Sequence, residues 1–384
     1  MKRLMVLPAL ALVVAACGTG TPDTTGAGTT ATTTGVTTGS TPAATTLPPI
    51  EKTSVKLQLQ WVTQAQFAGY FAAVEQGWYA EQGLDVEILE GAVDIVPQTV
   101  VAGGAAEFGL AWVPKALVSR EEGAKVVNIA QVFQRSGTLE VSWADSGITK
   151  PEDWAGKKVG NWGFGNEFEL TAAIEKFNVQ NVELVPQQFD MAGLLNNEID
   201  AAEAMIYNEY AQVLEVINTD TGALYTPADL NVIDFNTIGT AMLQDAVWVS
   251  EEWLAQPGNE DIATRFLIAS FQGWAFCRNE PQKCVDIVLA RGSALGGSHQ
   301  AWQMNEINAL IWPSPNGIGV MDKALWDQTV EVATSQSVIK GVPDETAYRT
   351  DLAAAAVAAL TALGVDVNGT DFAKTSVTLN EGGV

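Results

Sequence analysis

Apolar and polar positions alternate with period two through Val55-Lys-Leu-Gln-Leu-Gln-Trp61, the pattern of a half-buried strand. The spacing then predicts a helix over 67–76, a strand over 84–89, a helix over 94–102, a strand over 107–112, a helix over 113–122 and a strand over 126–132. Pro97 is compatible with that second helix because it falls in the first turn. After Ser146 the alternation resumes, with strands over 157–162, 182–185 and 201–206 followed by helical stretches around 170–177, over 191–197 and from Tyr207. Strands separated by helices of about ten residues predict an α/β protein built from parallel βαβ units. Near Ala246-Val-Trp-Val-Ser250 the pattern changes, and helices dominate over 261–278, 281–289, 302–311, 323–334 and 352–363. A chain that leaves one α/β lobe, builds another and returns to finish as helices crosses between lobes twice, and two crossings make a hinge. The predicted lobes are 51–143 plus 249–384 and 144–248, meeting near 141–145 and 246–251.

The first residues have a different character. Met1-Lys-Arg, an apolar run from Leu4 to Val14 and then Ala-Ala-Cys17-Gly read as a secretory signal over 1–16, too short to span a bilayer. Small residues before a cysteine resemble the lipobox of bacterial lipoproteins, which makes Cys17 the lipidated first residue of the mature chain. Residues 17–50 are dominated by Thr, Gly, Ala and Pro with almost no charge, so they lack the apolar surface to fold and read as a flexible tether. Loss of Lys2 and Arg3 with the signal takes the net charge from -25 to -27 and leaves no basic cluster, which argues against a nucleic-acid partner.

Candidate binding chemistry gathers where strands end. Lys157 to Trp162 leads into a turn with Gly163 and Gly165 and then a helix, the place where an α/β protein holds a ligand. A glycine-rich turn at a helix N-terminus ordinarily suits an anion, but this one carries Glu167 and Glu169 beside Asn166. Those acids either meet a ligand or complement the helix dipole. Tyr207-Asn208-Glu209 repeats the arrangement after another strand. Trp61, Trp112 and Trp162 each end a predicted strand and should face the crevice, whereas Trp274, Trp302 and Trp326 lie mid-helix and read as core. Gln64, Gln66, Gln134 and Ser136 follow strands and both donate and accept hydrogen bonds, with Phe67 adding a further aromatic. Carboxylates beside aromatic faces predict a donor-rich, neutral or cationic flat heterocycle as ligand.

Catalysis and metal binding are poorly supplied. The chain has one histidine, His299, with no nucleophile motif beside it. Cys277 and Cys284 lack a second ligand pair at zinc spacing, so neither metal nor cofactor is expected. Seven residues of continuous helix would part these cysteines by about 10.5 Å, beyond the ~7 Å reach of a disulfide. Asn279-Glu-Pro281 breaks the helix, and in an exported chain the pair is predicted to be bonded.

Several stretches carry a family resemblance. They are Gln64-Ala-Gln-Phe-Ala-Gly-Tyr70, Gln76-Gly-Trp-Tyr-Ala-Glu-Gln-Gly-Leu-Asp-Val86, Val101-Ala-Gly-Gly-Ala-Ala-Glu-Phe-Gly109, Pro151-Glu-Asp-Trp-Ala-Gly-Lys-Lys-Val-Gly160 and Asp200-Ala-Ala. In order and spacing they resemble the bilobed extracytoplasmic binding proteins of ABC importers, in the group that captures thiamine pyrimidine precursors, nitrate, sulfonates and taurine. The resemblance implies a type II periplasmic-binding-protein fold in a monomer that is no enzyme, touches the membrane only through its lipid anchor, and passes its solute to permease transmembrane subunits. The pyrimidine-precursor branch looks closest, with flavin capture as the alternative and sulfonate or nitrate capture after it. The related fungal pyrimidine synthase needs a cysteine-rich motif and an active-site histidine, which this chain lacks. An acidic adhesin is the reading from another class; it would not gain thermal stability with a small molecule. The lipobox reading predicts that Cys17→Ser abolishes metabolic lipid labelling and releases the protein from membranes or leaves it unprocessed. Unchanged labelling would refute it.

Overall fold

The computed structural model describes residues 52–384; the signal, Cys17 and the tether lie outside the described residues. Two sheets organise the chain. The first has the order β2-β1-β3-β12-β4, formed by β1 (Thr53–Gln58), β2 (Leu84–Leu89), β3 (Phe108–Trp112), β4 (Val126–Gln131) and the late strand β12 (Asp245–Ser250). β1 runs parallel to β2 and β3, and β12 inserts antiparallel between β3 and β4. Helices α1 (Ala68–Glu75), α2 (Trp78–Glu81), α3 (Pro97–Ala102) and α4 (Val113–Glu121) connect these strands.

The second sheet is built around β5 (Thr138–Trp143), which pairs antiparallel with both β8 (Ala202–Met205) and β11 (Leu230–Asp234). β6 (Lys158–Asn161) lies parallel to β7 (Glu183–Pro186) and joins β8 through a bridge between Val159 and Ala201. Its connections carry α5 (Phe168–Lys176), α6 (Ala192–Leu195), α7 (Glu209–Leu214), the two-residue hairpin strands β9 (Ile217–Asn218) and β10 (Ala223–Leu224), and α8 (Phe235–Ile238). After β12 come α9 (Glu251–Leu254), α10 (Asn259–Asn279), α11 (Pro281–Ala290), α12 (Gly297–Ile311), α13 (Lys323–Ser335) and α14 (Asp351–Ala362).

Two features differ from the periodicity reading. The sheets are mixed rather than parallel, and the chain crosses between them at 132–137 and 235–244, several residues before the predicted boundaries. β5 already belongs to the second sheet and β12 to the first. Both strands are buried almost throughout, so they show no polar alternation to reveal where they begin.

Both faces of each sheet are covered. Leu57, Phe108 and Val249 pack one face of the first sheet against α1 and α10, while Ala111, Ala246 and Trp248 pack the other with Trp326 of α13. Phe108 stacks on Phe266 of α10 with centroids 3.8 Å apart. α1 and α10 approach so closely that a Cβ on Gly273 would sit 2.0 Å from the carbonyl oxygen of Gly69. Trp274 and Trp326 are buried as predicted for core residues. Trp302 instead reaches the second half, donating from Nε1 to the Ile206 carbonyl at 2.9 Å. Glu280 leaves helical geometry between α10 and α11, which brings the Cα atoms of Cys277 and Cys284 to 5.5 Å in a disulfide.

Candidate functional site

A cleft of about 610 Å³ opens where the strand ends of the two sheets meet, within the ~300–1,000 Å³ of small-molecule sites. From the first sheet it takes Trp61, which follows β1, and Trp112, the last residue of β3; from the second it takes Trp162 after β6, Phe189 after β7 and Tyr207 after β8. The sheets place these residues together because the carboxyl ends of β1, β3 and β6 through β8 point into the gap between them. Phe189 bridges the halves, with its ring centroid 4.8 Å from that of Trp61 and 6.0 Å from the nearly parallel ring of Trp162. Phe189 is absent from the sequence-level candidates; its one signal is its place just after a strand.

A carboxylate organises the polar floor. Asp245, at the start of β12, accepts hydrogen bonds from Gln60 Nε2 at 2.5 Å, Gln66 Nε2 at 2.9 Å and Trp112 Nε1 at 2.8 Å. Gln64 in turn donates to Gln66 at 2.7 Å. Burial raises the Asp245 carboxyl to about 6, against the lowering effect of those three donors. Gln300 and Gln303 of α12 accept the backbone N–H groups of Ala65 and Gln66, so the loop after β1 rests on the helical region.

The turn after β6 enters the cleft through Phe164, Gly165 and Asn166. Gly165 has φ +83°, and a Cβ there would press on the ring of Phe168 and the stem of Lys115 at 3.0 and 3.2 Å. Lys115, three residues beyond Trp112 on α4, was not legible as a site residue because a lysine on a short helix ordinarily faces water. It lines the cleft, donates to Asn166 Oδ1 at 2.6 Å and lies 4.5 Å from the Trp112 ring centroid. Burial lowers its ammonium to about 8, partly opposed by Glu203, Glu167 and Asp245.

Five predicted contacts lie elsewhere. Phe67 is a fully buried core residue. Gln134 is buried and turned back onto the Gln131 carbonyl at 2.6 Å. Glu167 accepts the Gly165 N–H at 2.9 Å and so closes its own turn. Glu169 points away from the cleft: Ser136 Oγ donates to Oε2 at 2.8 Å and the Met242 N–H to Oε1 at 2.7 Å. Burial raises this acid to about 8 despite both donors. The carboxyl group and its serine are thus structural, because the two donors, Ser136 and Met242, come one from each crossing segment and need a buried acceptor.

Tyr207, Asn208 and Glu209 do line the cleft. Glu209 accepts from the Met205 N–H at 3.0 Å and from Asn208 Nδ2 at 2.6 Å, and burial raises its pKa. The Asn208 side-chain oxygen meets His299 Nε2 at 2.9 Å, and His299 Nδ1 faces Glu215 at 2.9 and 3.0 Å. The single histidine, distant in sequence, is therefore a fully buried prop behind the cleft wall, with both ring nitrogens occupied. Behind Trp162, Glu140 and Glu203 face each other across β5 and β8. Glu203 accepts the Trp162 N–H at 2.9 Å, while among the described residues neither oxygen of Glu140 has a partner. Burial raises Glu203 to about 8 and Glu140 well above the usual range, and their mutual repulsion adds to the Glu140 shift.

A family model described as NMT1/THI5 like matches residues 64–284. The chain is 25% identical over 367 residues to the riboflavin-binding protein RibY of Chloroflexus aurantiacus, covering 90% of this chain and 96% of the relative. It is 24% identical over 285 residues to the formylaminopyrimidine-binding protein of Halalkalibacterium halodurans, covering 72% and 83%. Among solved structures it resembles the periplasmic sulfonate-binding protein SsuA of Methylobacillus flagellatus, with TM-score 0.57 at 15% identity over 86% of this chain and 99% of that one. A Candida albicans protein described as having the generic periplasmic binding protein fold aligns with TM-score 0.53 at 13% identity, covering 85% and 98%. The fold is that of the periplasmic binding proteins.

The buried acids make stability depend on pH. Glu203 and Glu169 bind their protons more tightly folded than unfolded, so unfolding free energy falls as pH rises from about 4.5 toward 8. The thermal midpoint should therefore drop between pH 5 and pH 8, and Glu203→Gln, which has no proton to lose, should show a smaller drop in calorimetry. Equal drops in variant and wild type would show that Glu203 is not held protonated.

Proposed function

This chain belongs to the NMT1/THI5-like family, and from that premise we propose that it is the solute-capturing subunit of an ABC importer rather than an enzyme. In this reading it is a lipid-anchored, extracytoplasmic protein that clamps a flat heteroaromatic nutrient between its two halves and delivers it to the permease. The observation that carries the reading is the aromatic wall of Trp61, Phe189 and Trp162, drawn from both sheets across one cleft. Each ring stacked on such a wall contributes roughly 0.5–1.5 kcal/mol beyond area burial. Two or three such contacts are a sizeable share of the ~8–12 kcal/mol of micromolar to nanomolar binding. Catalysis is disfavoured because His299 is buried with both nitrogens bonded and Asp245 is buried and already accepts from three protein donors.

The relatives named for formylaminopyrimidine and riboflavin support a nitrogen heterocycle as solute. A pyrimidine precursor is the first reading. A flavin is the second, favoured by size, since a single ring leaves much of a 610 Å³ cleft empty and a tricyclic one does not.

Titration of intrinsic tryptophan fluorescence tests the proposal. A formylated aminopyrimidine or riboflavin should quench the signal with micromolar or tighter affinity, and Trp162→Ala should weaken binding about 10-fold, the equivalent of one lost stack. Tight binding of taurine or nitrate with no response to either heterocycle would overturn it, as would wild-type affinity in the alanine variant.

A further inference from the structure

Hydrogen-bonding capacity in the cleft is unevenly used. Both oxygens of Asp245 and both of Glu209 already accept bonds from protein donors. Glu167 serves the Gly165 N–H and Glu169 faces the crossings. Two of the three indole N–H groups of the cleft are also occupied: Trp112 donates to Asp245, and Trp162 to the Gln188 carbonyl at 3.1 Å, whereas that of Trp61 has no partner among the described residues. The buried carboxylates nearest the aromatic wall are therefore each engaged by protein donors.

Unused donors remain. An ammonium has three N–H groups, and Lys115 gives one to Asn166 Oδ1; among the described residues it has no ion-pair partner. The Tyr207 hydroxyl, also on the cleft wall, has no hydrogen-bond partner among the described residues. A half-buried cation without a counter-charge gains by meeting an acceptor that enters with the ligand. Its position sets where that acceptor sits. Lys115 belongs to the first half and Asn166 to the second, and the Trp112 ring face lies under the ammonium. An acceptor bound there touches both sides of the cleft while its ring lies among the aromatic side chains.

We propose that Lys115 is the specificity-determining residue of the cleft, donating to a carbonyl oxygen on the edge of the captured heterocycle, so that carbonyl-bearing rings are selected over carbonyl-free aminopyrimidines. Two sources supply this chemistry: the imide edge of a flavin, and the formamide of an acylated aminopyrimidine. The inference rests on the reading of the cleft as a heterocycle site and replaces the expectation of a donor-rich ligand. A full negative charge is disfavoured because Glu122 and Glu209 line the cleft with the one lysine, and Asp245 lies behind its polar floor.

Calorimetric titration of wild type, Lys115→Met and Lys115→Arg with four probes tests it: riboflavin, a formylaminopyrimidine, the same aminopyrimidine without its formyl group, and taurine. Wild type should bind at least one carbonyl probe roughly 10- to 100-fold more tightly than the deformylated pyrimidine, the range of a charge-assisted bond. Lys115→Met should remove most of that preference while changing affinity for the deformylated pyrimidine less than about threefold, and Lys115→Arg should restore part of it. Which carbonyl probe binds identifies the source. Equal wild-type affinity for formylated and deformylated rings without riboflavin binding, or an equal loss for all heterocycles in the methionine variant, would overturn the role of Lys115 and leave the heterocycle site standing. Binding of taurine alone, or of no probe, would overturn the heterocycle reading as well. The wild-type ratios decide the matter even if a variant fails to fold.

Discussion

The carboxyl group of Glu169 ties together the two places where the chain passes between sheets. It accepts from Ser136 in one crossing and from the Met242 N–H in the other, and it is buried there. Around it the crossings are bonded to each other. Gly137 N–H donates to Gln244 Oε1 at 2.8 Å, Gln244 Nε2 to Thr138 Oγ1 at 2.7 Å, and Asn236 Nδ2 to the Ser136 carbonyl at 2.9 Å. Buried polar groups that satisfy one another in this way fix a single geometry, because an unpaired member is costly. That geometry decides which strand ends face one another, and so whether Trp61 and Trp162 line the same cleft.

The same logic of satisfied polar groups gives the cleft its chemistry. The acids around it are mostly spent on holding aromatic side chains and backbone in place: Asp245 fixes the Trp112 indole, Glu203 the backbone of Trp162, and Glu209 the end of β8. A ligand in the cleft would be left with ring faces, the Lys115 ammonium, the Tyr207 phenol and the Trp61 indole N–H. Lys115 is held between desolvation and three nearby acids, none of them close enough to neutralise it through an ion pair. An acceptor on an uncharged ring fits that balance better than an isolated anion does.

Much of the architecture was legible from local pattern. β1 alternates buried Val55 and Leu57 with exposed Lys56, and strands such as β2 and helices such as α4 and α13 fall where periodicity places them. The starts of β5 and β12, which mark the ends of the crossings, were not legible because strands buried on both faces carry no period. Trp61, Trp112 and Trp162 could be found from position alone, since residues at the ends of strands in an α/β sheet face the crevice. Glu169 was misassigned for a physical reason: an acid in the first turn of a helix can serve the dipole, a ligand or the surrounding backbone, and sequence does not separate these. Lys115 and Phe189 depend on the register between two halves, which no local pattern encodes.

The central claim is that the two halves bind one solute between them and close on it. Small-angle X-ray scattering of the protein, alone and saturated with whichever heterocycle it binds, tests this most directly. Closure about the crossings at 132–137 and 235–244 predicts a smaller radius of gyration and a shorter maximum dimension in the bound state. Superimposable curves at saturation, with binding confirmed in the same sample, would contradict the account.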